Sequence, residues 1–345
     1  MKKRVIVSVL LVCLFLTACG GEEQPEQDRN SFLGEAAGLA EDAVLLKADG
    51  KEIAAWQYLY WLNRGCEDVC RQYRAAGTEV NWELPVGSGI LADYVKRQAL
   101  ENTVLYATVE NWAEKYGCIL TEAEKAALAG EWDTQASARG GEAIYLAELA
   151  AQGLTRDRAE WLAGVGMQYG KLREFCCTEG SPLYPDAAEI AAYAEKMGCM
   201  TVDRILIAAG EDREAARQKA AEVFSELNNA TDQAAVFTKL AKAGDDSAGI
   251  RTVTKGDGTL APVLEEAAAM LEAGQFSGIL ESEEGFSILK RLPPRREDLL
   301  GGYFDALLQA AAAEAFVTQT QEYAELDVIS FDIGRTEWAA SRSIP

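Results

Sequence analysis

The sequence predicts an α+β protein: a mostly helical body together with a smaller α/β module. Three observations predict it. From Trp56 to about Gly198, apolar residues recur at helical spacing between Gly and Pro breaks. From Thr201 to Leu292 the pattern changes. Two strand-type runs, Thr201-Val-Asp-Arg-Ile-Leu-Ile207 and Gly285-Phe-Ser-Ile-Leu-Lys-Arg-Leu292, enclose helical segments and polar turns. Beyond Pro293-Pro294, an Ala-rich helical pattern resumes from Leu299 to about Tyr323.

The N-terminus reads as a targeting segment. Lys2, Lys3 and Arg4 precede an apolar run, Val5 to Phe15, that is too short to span a bilayer. Leu16-Thr17-Ala18-Cys19 follows and resembles a bacterial lipobox, which implies cleavage before Cys19 and lipid on its sulfur. An ordinary signal peptide with an incidental Cys is the alternative. Residues 1–18 are thus expected to be a leader, and 19–42, polar and rich in Glu, Gln and Gly, a flexible tether. The resulting expectation is an extracytoplasmic protein, lipid-anchored to the bacterial cell membrane.

Net charge is −22 across 345 residues, with no histidine. Loss of Lys2, Lys3 and Arg4 with the leader makes it more negative still. Such a charge argues against nucleic acid as a partner. Six cysteines remain after Cys13 and Cys19: Cys66, Cys70, Cys118, Cys176, Cys177 and Cys199. The compartment permits disulfides, but the spacing is not that of a disulfide scaffold, and buried free thiols or one opportunistic disulfide is the simpler reading. No metal site and no cofactor is expected.

The elements follow in order. Ala43 to Ala48 is strand-like, Asp49-Gly50 is a hairpin signal, and Lys51 to Ile53 can return as a second strand. Helical spacing starts at Trp56. A long helix runs from about Ile90 to Tyr116 and stops at Gly117. Thr121-Glu-Ala-Glu124 and Asp186-Ala-Ala-Glu189 have capping-box spacing, so helices begin there. Further helices are expected from Glu142 to Ala151 and from Thr155 to about Cys177. Leu326 to Ile333 reads as a strand, and the last dozen residues as a tail.

The 201–292 stretch is similar to the parvulin family of peptidyl-prolyl isomerases. Arg204-Ile-Leu206 stands at the family's His-Ile-Leu strand, and Phe237, Leu240 and Ala241 at its second helix. Gly258-Thr-Leu-Ala-Pro262, Leu264-Glu265, Ala267-Ala268 and Gly274 follow its most specific motif. The helical region before it, including Gly117-Cys-Ile-Leu-Thr-Glu-Ala-Glu124, resembles extracytoplasmic foldases of the SurA/PrsA type. That resemblance implies a helical chaperone domain at 43–198, a parvulin-like module at 199–293, and a C-terminal helix and strand at 294–334 that return to complete the helical domain. Residues 335–345 are left as the tail.

Prolyl isomerisation crosses a barrier of about 18–20 kcal/mol through a twisted amide and needs no nucleophile. It needs an apolar slot for the ring and groups that stabilise the twisted state. The resemblance places the family's active-site positions at Arg204, Asp246 and Ser287, with Arg204 and Ser287 where histidines are expected. The peptide slot falls at Leu260, Leu264, Ala269, Met270 and Phe286. Leu264 and Ala269 replace two Phe. The expected function is therefore chaperone or foldase action on unfolded or nascent secreted polypeptides, with a parvulin module weak or inactive in catalysis. The alternatives are an active peptidyl-prolyl isomerase and a non-catalytic scaffold lipoprotein with one dedicated partner. Oligomeric state stays open, a dimer included.

Overall fold

The computed structural model describes residues 32–246 and 248–342. The expected leader and Cys19 lie outside the described residues. In chain order, α1 (Phe32–Ala37) leads to a hairpin of β1 (Val44–Ala48) and β2 (Lys51–Ala54), whose turn residues Asp49 and Gly50 both have positive φ, 48° and 84°. The Asp-Gly pair suits that conformation because Gly has no Cβ penalty there and Asp tolerates it. Helix α2 (Ala55–Ala75), a short hairpin of β3 (Pro85–Val86) and β4 (Gly89–Ile90), and α3 (Leu91–Tyr116) follow. Gly117 ends α3 in the left-handed region, φ 69°. Then come α4 (Glu122–Ala138), α5 (Glu142–Ala150) and α6 (Arg156–Cys177).

The second part opens with α7 (Ala187–Met197) and β5 (Cys199–Ala208). Next are α8 (Arg213–Asn229), α9 (Gln233–Ala243), β6 (Arg251–Thr254), α10 (Pro262–Met270), β7 (Leu280–Ser282) and β8 (Gly285–Leu292). The chain ends with α11 (Arg296–Glu314), β9 (Val317–Gln319), α12 (Gln321–Glu325) and α13 (Val328–Arg342). Helices dominate and the sheets are small, which makes this an α+β fold. No described helix is long and apolar enough to cross a membrane.

The chain divides into two compact units. One holds the described residues up to Phe175 together with those from Asp305 on, and the other is Cys176–Phe304. In the first, β9 pairs antiparallel with β1 to give the sheet order β2-β1-β9. Asp49 and Phe316 exchange hydrogen bonds at its end: the Asp49 N–H donates to the Phe316 carbonyl, and the Phe316 N–H to Asp49 Oδ1. The core packs Tyr58, Leu59 and Leu62 of α2 with Val95 and Ala99 of α3, Tyr323 of α12, and Val328 and Phe331 of α13.

Local caps decide where helices start. The Thr121 hydroxyl accepts from the Glu124 N–H while Glu124 accepts from the Thr121 N–H, and Asp186 and Glu189 repeat the arrangement at 2.8 Å each way.

Three expectations need correction. The tether does not extend to residue 42: Phe32 and Leu33 are buried, and Phe32 stacks on Trp338 with ring centroids 4.1 Å apart. Its partner lies about three hundred residues away, so the polar composition of the segment conceals the anchor. Leu326 to Ile333 is not a strand but the start of α13. Asp327 accepts from the Ser330 N–H at 2.7 Å, an N-cap bond, and Val328 and Phe331, three apart, are the buried pair. Residues 335–342 are not a tail, since α13 runs to Arg342 and carries Trp338. The strand that does form, β9, lies inside what reads as helix up to Tyr323.

Candidate functional site

The second unit is built on a four-stranded antiparallel sheet of order β6-β5-β8-β7. Alternation along β5 sends Ile205 and Ile207 to one face, where α8 and α9 cover them with Ala220, Leu227 and Phe237. Val202, Arg204 and Leu206 point to the other face. There Leu264 and Ala268 of α10, with Leu260 just before it, pack against Val202, Val253 and Leu289. Leu264 is completely buried.

The β5–β8 register sets the site. Arg204 lies opposite Leu289, and Leu206 opposite Ser287, so Arg204 and Ser287 share the α10 face one pair apart. Past Val202, the edge of β5 is bordered by the loop after α9. The Asp245 N–H donates to the Leu206 carbonyl, and the Ala208 N–H to Asp245 Oδ2, both at 2.8 Å. That loop brings Asp246 to Arg204. Arg204 Nε donates to Asp246 Oδ2 at 2.7 Å and Nη1 to Glu284 Oε2 at 2.6 Å, while Arg251 also bonds Asp246. The Arg204 and Asp246 side chains are only 8% and 3% exposed.

Burial alone would raise the Asp246 carboxyl. Hydrogen bonds from Arg204 and the Ala248 N–H, with the charges of Arg204 and Arg251, outweigh it and hold Asp246 below the usual carboxylate range. Burial likewise opposes the Arg204 charge, but Asp246 and Glu284 overcompensate and raise its pKa. Arg204 and Asp246 therefore hold each other in their charged forms. Beside them the Ser287 hydroxyl is fully buried and lacks a hydrogen-bond partner among the described residues.

The structure brings Arg204, Asp246 and Ser287 to one face of the sheet. It does not assemble the five expected slot residues. Leu260 and Leu264 are consumed by the core beneath α10, while Ala269 is exposed and Met270 is 83% exposed. Phe286 lies on the opposite face, in the α8–α9 core, with Arg213 and Arg217 over its ring. Period-two alternation explains this: Phe286 and Ser287 are neighbours in a strand and cannot share a face. Helix α10 also ends at Met270, so Gly274, φ 94°, is not its cap but a turn residue whose N–H reaches the Arg291 carbonyl. Sequence reasoning missed Arg251 and Glu284. The acidic pair Glu283-Glu284 in the β7–β8 turn was the available signal for the second.

Fold and motif order make the second unit similar to a parvulin-type module within a larger, helix-rich chain. In sequence, residues 201–292 match the family model of the PPIC-type PPIASE domain. No curated protein matches the chain in sequence. Among solved structures, PrsA from Bacillus subtilis is similar at 18% identity, covering 88% of this chain and 94% of that one, with a TM-score of 0.25. Foldase protein PrsA from Streptococcus pneumoniae matches at 16% identity over 76% of this chain and 94% of its own, TM-score 0.24. A SurA-like chaperone from Campylobacter jejuni matches at 13% over 88% and 99%, TM-score 0.25. At TM-scores this low, the arrangement of the whole chain rests on its own elements.

Proposed function

We propose that this protein is a membrane-anchored, extracytoplasmic chaperone or foldase for secreted polypeptides, with a parvulin frame that does not catalyse isomerisation efficiently. The observation that carries the reading is the occupied site. In a domain matching the PPIC-type family, the two positions expected to hold imidazoles are Arg204, tied up by Asp246 and Glu284, and Ser287, buried with no hydrogen-bond partner among the described residues. A permanently charged guanidinium held by two carboxylates is poorly suited to exchange hydrogen bonds as an amide twists. The helical unit would then hold client segments, and lipid on Cys19 would keep the protein at the membrane, several acyl chains giving stable anchoring.

Aggregation of a chemically unfolded secreted protein tests the reading. Mature protein at stoichiometric ratio is expected to suppress light scattering; no suppression for any of several clients would remove its main support. Cys19→Ser is expected to move the protein from the membrane to the soluble fraction, and unchanged membrane retention would contradict the anchor.

The family match itself favours a second reading, a working peptidyl-prolyl isomerase. A proline-peptide assay separates the two, because the second reading requires a rate above the uncatalysed one.

A further inference from the structure

The helical unit contains a cleft of about 300 Å³ between α3, α4 and α6. Its apolar lining comes from Leu120, Leu128 and Trp161, and its polar lining chiefly from Glu110, Glu160 and Gln168. The volume is at the low end of small-ligand sites and suits one or two bulky side chains. Trp161 is held in place on two sides. It packs edge-on against Trp56 at 5.2 Å, and its Nε1–H donates to Glu110 Oε1 at 3.1 Å. The indole donor is thereby spent, and what Trp161 offers the cleft is ring surface.

The polar lining of the cleft is weighted toward acceptors, with two carboxylates against one cation. Glu110 Oε1 takes both Trp161 and Lys51, and Glu160 Oε1 takes Arg156 at 2.9 Å, which leaves Oε2 of each as an acceptor. Gln168 Oε1 is buried and has no partner among the described residues. Lys125, the cation in the lining, gives one N–H to Glu122 at 2.8 Å. Buried acceptors without donors are costly, so an occupant that brings N–H groups is favoured over one that brings oxygens. A carboxylate entering here would meet Glu110 and Glu160 in a chain of net charge −22.

We infer that this cleft is a peptide subsite selective for a bulky apolar side chain adjacent to lysine or arginine. The inference rests on the chaperone reading and adds to it a place and a chemical class of client segment. Gly164 on α6 forms part of the wall, and a Cβ built there would come only to 3.5 Å from Leu120 Cδ1, an ordinary contact. A larger side chain at this position therefore projects into the cleft while the helix loses a glycine, a change that favours helix formation.

The test uses the full mature chain and fluorescent peptides with one apolar core, flanked either by lysine and arginine or by aspartate and glutamate. The basic-flanked peptide is expected to bind at least about tenfold more tightly, the scale of a charge-assisted hydrogen bond. Gly164→Leu is expected to fold as the wild type by circular dichroism and to abolish binding of both peptides. Glu110→Gln, which keeps an acceptor for Trp161, is expected to lower affinity for the basic peptide alone. Equal affinity for the two peptides, or wild-type binding by Gly164→Leu, overturns the inference even if the protein suppresses aggregation. Self-association of the wild type that Gly164→Leu abolishes also overturns it, by making the cleft an interface between copies of the chain. Selective, Gly164-dependent binding in a protein that suppresses no aggregation would uphold the subsite and sink the chaperone reading instead.

Discussion

Arg204 and Asp246 meet at 2.7 Å on the α10 face of the β5–β8 sheet, almost shut off from water. The contact joins a strand residue to a loop residue forty-two positions later, and Arg251 and Glu284 complete it from two further elements. A pair so placed acts as structure. Taking two charges out of water is offset only while both remain and stay hydrogen-bonded.

Breaking the pair from one side is therefore expected to be costly. Arg204→Met or Asp246→Leu should each destabilise the protein, by less than the roughly 3–5 kcal/mol of a fully stranded buried charge, because Arg251 stays with Asp246 and Glu284 with Arg204. The double variant should lose much less than the sum. Denaturant melts of the four proteins in a double-mutant cycle measure the coupling directly.

Acid should act through the same carboxylate. Asp246 has a folded-state pKa below its unfolded value of about 3.9, so its contribution is present above that value and lost as pH falls through the folded one. Glu124 acts in the same sense: hydrogen bonds from Lys171 and Thr121 lower it to about 2. The melting temperature is expected to hold between pH 7 and 5 and to fall below about pH 4. Asp246→Asn should melt lower than wild type at pH 7, with the difference shrinking as the wild-type carboxyl protonates. A difference independent of pH would show that the charge of Asp246 is not what matters.

Gly285 opens β8 at φ 140°, and a Cβ there would drive into the Ile207 carbonyl and the backbone at Ala208 and Ala209. The obstacle is backbone on both sides, so no side-chain rotation relieves it. Gly285→Ala is expected to cost more than about 1–3 kcal/mol, the scale of one residue forced into a sparsely populated backbone region. Gly278→Ala, where a Cβ would meet nothing within 4 Å, is the matched control.

The contact between α1 and α13 gives the last stability prediction. Trp338→Ala should lose about 0.5–1.5 kcal/mol from the aromatic pair with Phe32, in addition to the area it buries. A protease should leave residues 335–342 intact in the native protein and cleave them in the variant. Equal protection in both would mean that the stack does not hold the helix.

Sequence legibility followed the range of the interactions. The helix starts at Thr121 and Asp186 and the stops at Gly117 and Gly198 were readable because each is settled within one turn of chain. So was the Asp49-Gly50 hairpin. The start of α13 was not, because Val328, Ile329, Phe331 and Ile333 fit both strand and helix periods, and burial of Phe331 in the core of its unit decided between them. Helix α1 was hidden by its polar surroundings. At the site, the positions of Arg204 and Ser287 were legible from the family motif, but Glu284 and Arg251 join only through register and loop geometry. Phe286 was assigned to the slot by analogy, although period-two alternation places it on the face opposite Ser287.

The central claim is that the protein holds clients without accelerating proline isomerisation. It is tested most directly by refolding a secreted client whose slow phase is limited by an X–Pro bond, a step of tens to hundreds of seconds at 25 °C. With mature protein present, the fraction of client that stays soluble is predicted to rise while the slow-phase rate remains that of the client alone. A faster slow phase, or no gain in soluble client, would contradict the account.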